Sequence, residues 1–338
     1  MRVLLSGYYG AGNLGDEALL AGLAAGLIAR GHEPVVLSVD PAATRALHGV
    51  AAVHRYSGLL PALLRADALV SGGGGLLQDA TSGRSLAYYL GTLRLARALR
   101  KRTVVYGQSL GPFTTSGRER TRRALTDVPL ALRDKESVAL ASGMGFRSVL
   151  VADPALLMPL PPGLSQDDGP GRRAGGPVVL APRGGQEALN DALAGLARTL
   201  AAEGVPLAAI AFQPRQDGPA VAKLAEAAPS IAVRAAATPA EALFAMSDAR
   251  YVVSVRLHGC ILAARLGIGF AGLSYDPKVK GFLSQAAAPA FTAPVDERAL
   301  VNLVRAAPPA AAHAVDHLTR LADEGLDWLA ATLTGGAV

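Results

Sequence analysis

The feature that most constrains this chain is an alternation of short apolar runs with helical periodicities that stops midway and then starts again. Runs rich in Val, Leu and Ile at residues 3–5, 34–39, 68–71, 103–106, 130–132 and 148–151 are separated by helical patterns at 16–30, 85–99 and 135–141. Strand and helix in succession make βα units, and these build a parallel sheet covered by helices. Asp16 is the expected N-cap of the first helix; Leu19, Leu20, Leu23, Leu27 and Ile28 share one of its faces, and Gly31 supplies the stop. A second series has runs at 178–181, 207–212, 251–255 and 269–273, with helices at 188–200, 220–227 and 259–266. Between the two series, residues 159–177 are rich in proline and glycine and lack apolar periodicity. The predicted organisation is an N-terminal Rossmann-like domain over 1–160, a linker over 161–176, a C-terminal Rossmann-like domain over 177–310 and a closing helix within 311–338. The fold class is therefore α/β, two Rossmann-like domains facing across a cleft lined by post-strand loops.

Length agrees, since 338 residues at roughly 150 per domain allow two cores. A content of 51% hydrophobic and 18% charged residues excludes a disordered chain. With 33 Lys and Arg against 27 Asp and Glu, the net charge of +6 suits anionic partners, and no nucleic-acid partner is expected. Cys260 is the only cysteine, so an internal disulfide is impossible; no Cys or His spacing suggests zinc, and a reducing compartment is expected. After Arg2 only residues 3–5 are apolar before Ser6 and Gly7, too short for the roughly 7 to 15 apolar residues of an export signal. The most apolar stretch, 251–275, is broken by Arg256, His258 and Arg265, so no membrane span is expected.

Chemistry is sought in the loops. Gly10, Gly12 and Gly15 form GxGxxG before a helix, and Asp40 ends the next strand, which on pattern alone is a dinucleotide site. Asp16 and Glu17 argue against it, because carboxylates occupy the helix N-terminus where a pyrophosphate would need the positive end of the dipole. Asn13, Asp16 and Glu17 suit the hydroxyls of a neutral, sugar-like ligand instead, the alternative being a glycine turn with a good cap. Gly72 to Gly75, including Gly73 and Gly74, let a ligand or another backbone approach closely, and Gln108 offers both donor and acceptor after the next strand. Arg183 follows the strand at 178–181; Arg256 and His258 follow the strand at 251–255. Arginine reads phosphate or carboxylate through two N–H groups, and a histidine beside it titrates near neutral pH, so the set fits an anionic substrate and proton transfer. Lys278 adds a cation after the next strand. Arg133 is a further candidate, with an ion pair involving Asp134 as the alternative.

Taken together, GNLGDE at 12–17, SGGGGLLQD at 71–79, GQSLGP at 107–112, RDKES at 133–137, DPA at 153–155, VRLHG at 255–259 and SYDPKVKGF at 274–282 resemble the polysaccharide pyruvyl transferases, close to the CsaB type. The match is collinear over residues 1–282, and the last two motifs are its most specific part. The resemblance implies a glycosyltransferase-B-like fold, phosphoenolpyruvate as co-substrate with no further cofactor, and a sugar acceptor that becomes a 4,6-O-pyruvyl ketal as phosphate is released. It implies a lipid-linked or polymeric glycan acceptor containing ManNAc, a cell-wall precursor whose ketal surface-layer proteins later recognise. It also associates Arg256 and His258 with donor binding and catalysis. On this reading Arg183, Arg256, Lys278 and Arg133 hold the donor; Asn13, Asp16, Glu17, Gly73, Gly74 and Gln108 hold the acceptor; and no metal is needed. A cytoplasmic enzyme in peripheral contact with the anionic inner membrane face is expected. A nucleotide-sugar glycosyltransferase on the same fold and a non-catalytic carbohydrate-binding protein are the alternatives.

Overall fold

The computed structural model describes residues 1–80, 82–165 and 175–335. The chain divides into two units, one formed by Met1–Ala11, Asp16–Pro159 and the residues from Thr319 onward, the other by Gly12–Gly15 and Leu160–Leu318. Most of the expected linker, residues 166–174, lies outside the described residues.

In the first unit, β1 (Arg2–Tyr9), β2 (Glu33–Ser38), β3 (Ala51–His54), β4 (Ala68–Leu77), β5 (Arg102–Leu110), β6 (Leu130–Leu132) and β7 (Val149–Leu150) form a parallel sheet in the order β3-β2-β1-β4-β5-β6-β7. The connecting helices are α1 (Leu14–Ala29), α2 (Pro41–His48), α3 (Leu59–Arg65), α4 (Gly83–Ala98), α5 (Thr115–Leu125) and α6 (Lys135–Ser142). Leu4 stands between Val35 and Leu69 in the ladder, and Val3, Leu4 and Leu5 are all fully buried. A strand covered on both faces needs an unbroken apolar run, which is what residues 3–5 supply. Strand order reverses between β1 and β4, the place where open α/β sheets take ligands at their carboxyl edge.

The second unit repeats the plan. Strands β8 (Val178–Ala181), β9 (Leu207–Ile210), β10 (Ala232–Arg234), β11 (Tyr251–Ser254), β12 (Phe270–Leu273) and β13 (Ala290–Phe291) are parallel in the order β10-β9-β8-β11-β12-β13. The helices are α7 (Glu187–Ala202), α8 (Pro214–Ala227), α9 (Pro239–Met246), α10 (Leu257–Arg265), α11 (Pro277–Gln285) and α12 (Glu297–Ala306). The reversal falls between β8 and β11, so the residues after these strands stand at this unit's ligand edge.

A last helix, α13 (Ala312–Thr334), brings the chain back to the first unit from Thr319 onward. There Arg30 bonds Asp323 and Asp327, both at 2.8 Å, and Tyr106 Oη donates to the Ala322 carbonyl. Gly26 and Gly325 let the backbones close up: a Cβ on Gly26 would overlap Leu326, and one on Gly325 would crowd Val151.

Two expectations are corrected. Asp16 is not the N-cap, because α1 begins at Leu14. The glycines at 72–75 and the segment 107–110 are not post-strand loops, since β4 continues to Leu77 and β5 to Leu110. The ladder carries the weak strand formers along, pairing Gly72 with Tyr106 and Gly74 with Gln108.

Candidate active site

The expected site residues divide by what their side chains touch. In the first unit most of them are used internally. Glu17 is buried, with Oε1 accepting from the Gly10 amide at 2.7 Å and Oε2 2.8 Å from His48 Nε2. It is therefore corrected from acceptor ligand to a brace for the turn after β1. Gln108 is fully buried and donates to Ser71 Oγ at 2.7 Å, which removes it from a sugar site. The glycines of β4 have a packing reason: a Cβ on Gly73 would overlap Leu19, one on Gly72 would lie 2.8 Å from Leu23, and one on Gly74 would lie 3.2 Å from Asp16 Oδ1. What approaches Gly73 and Gly74 is thus α1, where a ligand was expected. Tyr9 completes this layer, its hydroxyl donating to the Gly72 carbonyl at 2.5 Å; burial, and secondarily Asp16, pushes that hydroxyl well above its ordinary pKa.

Arg133 is corrected in the same way. Its guanidinium is buried, donating from Nη1 to Asp153 at 2.5 Å and from Nε to Ser109 at 3.0 Å. The ion pair foreseen as the alternative exists, with Asp153 as its acid; Asp134 instead caps α6 through the Ser137 amide at 2.7 Å. Asp40 caps α2 through the Ala43 amide at 3.0 Å, so the carboxylate that completed the dinucleotide pattern is a helix cap.

The second unit holds its polar side chains differently. Arg256 follows β11 by two residues and stands at the N-cap position of α10. Its Nε donates to Asp217 Oδ2 at 3.0 Å, and Nη2 bonds Asp217 Oδ1, Gln216 Oε1 at 2.7 Å and Gln213 Oε1 at 3.4 Å. One edge of the guanidinium is thereby committed, and among the described residues no group bonds Nη1. Asp217 is fully buried and also accepts from the Gly184 amide at 3.1 Å and the Gln213 amide at 2.9 Å, so one carboxylate holds Arg256 and the loop after β8 together. Gly184 is required there, because a Cβ would overlap the Gln216 carbonyl.

Arg183, in that loop, is held by its backbone: buried Asn190 accepts from its N–H at 3.2 Å and donates to its carbonyl at 2.7 Å. The half-buried guanidinium lies 4.5 Å from the centroid of the Tyr275 ring, with Nη1 donating to the Tyr275 hydroxyl. Burial raises the pKa of that hydroxyl, with Arg183 pulling the other way. Among the described residues Arg183 has no carboxylate partner, and its buried Nε has no hydrogen bond. A half-buried cation stacked on a neutral ring is a seat for an anion. Beside it a cavity of about 420 Å³ is lined by Gly185 to Leu189, Ser274, Tyr275, Thr292 and Ala293.

His258 lies in the first turn of α10, against Gly15, where a Cβ would overlap the imidazole. The third glycine of GxGxxG thus seats a histidine. The same loop is anchored by the Leu14 amide donating to the Phe212 carbonyl at 2.9 Å, while Asn13 accepts from the Gly15 amide at 3.1 Å. Lys278 is half-buried in the first turn of α11, whose cap is Asp276. Among the described residues no group of three or more His, Cys, Asp or Glu side chains could hold a metal ion.

Asp217 and Asn190 escaped sequence reasoning. Asp217 sits in a polar PRQDGP stretch between β9 and the apolar part of α8, and only the strand order carries it to Arg256. A carboxylate a few residues after a strand end was the available signal.

Comparison with known proteins fits this frame. The profile of the polysaccharide pyruvyl transferase family matches residues 13–277, which contain all the elements just described from Asn13 to the start of α11. The chain belongs to the polysaccharide pyruvyl transferase family. Among curated proteins none matches significantly. Solved structures match in fold: the HepE protein of Anabaena in complex with UDP and glucose (14% identity, 99% and 100% of the two chains, TM-score 0.62) and UDP-GlcNAc 2-epimerase of Neisseria meningitidis (10%, 99% and 100%, 0.60). The lipopolysaccharide glycosyltransferase WaaG matches at 13% identity over 99% and 100%, with a TM-score of 0.53. These likenesses give the chain a glycosyltransferase-B type of fold with two Rossmann-like units. This member of the transferase family accordingly carries its polar network at the carboxyl edge of the second sheet.

Proposed function

We propose that this pyruvyl transferase uses phosphoenolpyruvate as donor and builds a 4,6-ketal on a sugar of a cell-wall glycan, in the manner of the CsaB type. The observation that carries the donor assignment is Arg183, a half-buried cation with no acid to neutralise it among the described residues, next to a braced Arg256. Phosphoenolpyruvate brings a carboxylate and a phosphate, and Arg183, Arg256 and Lys278 supply cations of the matching kind. Protonation of its methylene carbon makes C2 electrophilic; one sugar hydroxyl adds there and gives its proton back to the general acid, phosphate leaves with the C–O electron pair, and the second hydroxyl closes the ketal as its proton passes to the departing phosphate. His258 is our general acid, a role worth about 10²- to 10⁴-fold in rate. Developing charge is balanced by the arginines, so the scheme calls for neither metal nor further cofactor. Asn13 and Asp16 are assigned to acceptor hydroxyls, and the acceptor is a lipid-linked or polymeric glycan containing ManNAc, destined for surface-layer anchoring. Such a carrier stays at the bilayer, which puts the enzyme in the cytoplasm at the inner membrane face; no helix among the described residues is long and apolar enough to cross a membrane.

The test is incubation with phosphoenolpyruvate and a panel of lipid-linked and synthetic glycosides, reading released phosphate and product mass. Phosphate release together with a product heavier by one pyruvyl ketal is expected. Glycosyl transfer from a UDP-sugar, with phosphoenolpyruvate inert, would overturn the reading.

A further inference from the structure

Helices α3, α4 and α5 cover the same face of the first unit's sheet, because Leu63, Leu90 and Ala124 belong to one buried core. They are adjacent: Tyr88 of α4 donates to the Arg55 carbonyl just ahead of α3, and Arg94 of α4 donates to the Arg120 carbonyl of α5. Their outer sides are of two kinds. On α3, Leu60 and Leu64 lie about one turn apart and are 49% and 59% exposed, and in the turn just ahead of the helix Tyr56 is 59% exposed with Arg55 stacked on its ring and Tyr88 edge-on to it, so the three make an apolar stripe on the outer side. On α5, Arg118, Arg120, Arg122 and Arg123 are all exposed, with Glu119 as the only acid in the helix. Glu119 bonds Arg122 at 2.9 Å and Arg123 at 2.7 Å, and Arg120 lies 3.8 Å from Asp79, so the helix remains cationic on balance. Arg94 is exposed between the two surfaces.

We infer that this face docks on an anionic lipid bilayer. The side chains of Tyr56, Leu60 and Leu64 enter the headgroup boundary while the α5 arginines lie among lipid phosphates. An apolar stripe beside a basic helix is the pairing that interfacial binding uses, since insertion and headgroup attraction act together. A second copy of this chain fits less well, because a two-fold contact through this face sets the same cationic surface against itself. A free anion would explain the arginines and leave the stripe without a role. The inference concerns the surface alone and does not depend on the identity of the donor.

Sedimentation of the whole chain with phosphatidylcholine vesicles, with and without phosphatidylglycerol, tests it. Binding is expected only with phosphatidylglycerol and should weaken as salt rises. Leu60→Asp with Leu64→Asp, and separately Arg120→Glu with Arg123→Glu, should each lower binding about tenfold or more while leaving the melting temperature and phosphoenolpyruvate binding unchanged. Four results would overturn it: no wild-type binding at low salt, undiminished binding by either variant, displacement by inorganic phosphate beyond the effect of chloride at equal ionic strength, or a wild-type dimer that the Leu60→Asp, Leu64→Asp variant breaks.

Discussion

The two units solve the same topological problem with the same order for their first six strands, yet they use buried arginine differently. In the first, Arg133 is closed off by Asp153 and Ser109 beneath the surface. In the second, Arg256 has one edge held by Asp217, and Arg183 rests on Tyr275 with no acid opposite it among the described residues. A cation can be buried for architecture or presented for binding; the partner tells which, since a carboxylate closes the charge and a neutral ring leaves it open. Arg133 and Arg256, the two arginines within the polysaccharide pyruvyl transferase motifs, both face a buried carboxylate, and Arg183, on its ring, stands outside those motifs, so a motif arginine is not by itself a ligand.

The sharpest way to break this comparison is to remove the acids. Asp153→Ala and Asp217→Ala should each cost about 3–5 kcal/mol of stability, because each strands a buried guanidinium. Denaturant titration measures this, and cheap substitution at either place would mean the pair is not desolvated. Only the Asp217 variant should also weaken phosphoenolpyruvate binding.

Next in size is His258→Gln, expected to lower kcat by about 10² with little change in Tm. Turnover near that of the wild type would move the acid elsewhere. Arg183→Leu and Arg256→Lys should then weaken phosphoenolpyruvate binding by about 1–3 kcal/mol in a calorimetric titration, whereas Arg133→Lys should leave it unchanged. A loss of affinity in Arg133→Lys would erase the distinction between the two units.

The smallest expected effects are absences of response. Cys260 is fully buried, and burial pushes its thiol up to about 12, so at pH 8 it is protonated and should resist a disulfide reagent until the protein unfolds. NAD should show no micromolar binding by fluorescence, because Asp40 is spent on capping α2 and Gly15 on seating His258.

Much of this was legible in the chain. Continuous apolar runs marked β1, β6, β8 and β11 because strands inside a parallel sheet are buried on both faces. The strands left unmarked, β3, β10 and β13, are short and lie at sheet edges, where burial is partial, and the helices α2, α3, α5, α9, α11 and α12 went unmarked as well. The glycines of β4 looked like a ligand cradle because glycine reports close approach without saying by what, and here Leu19 and Leu23 of α1 make the approach. Glu17 and Gln108 misled for a related reason, as polar residues beside glycines suit a ligand or a backbone amide equally well. Arg256 and His258 stood out because a charged pair at the end of a buried strand is rarely accidental; their brace, Asp217, could not be paired with them without the strand order.

The return of α13 to the first unit bears on the order in which the protein takes shape as it is made. Residues 160–318 are contiguous and emerge together, whereas the first unit keeps the groove beside Gly26 and Val151 uncovered until residues after Thr319 have left the ribosome. A domain begun first is thus finished last, and its exposed apolar groove during that interval is where a nascent chain of this protein would most need a chaperone.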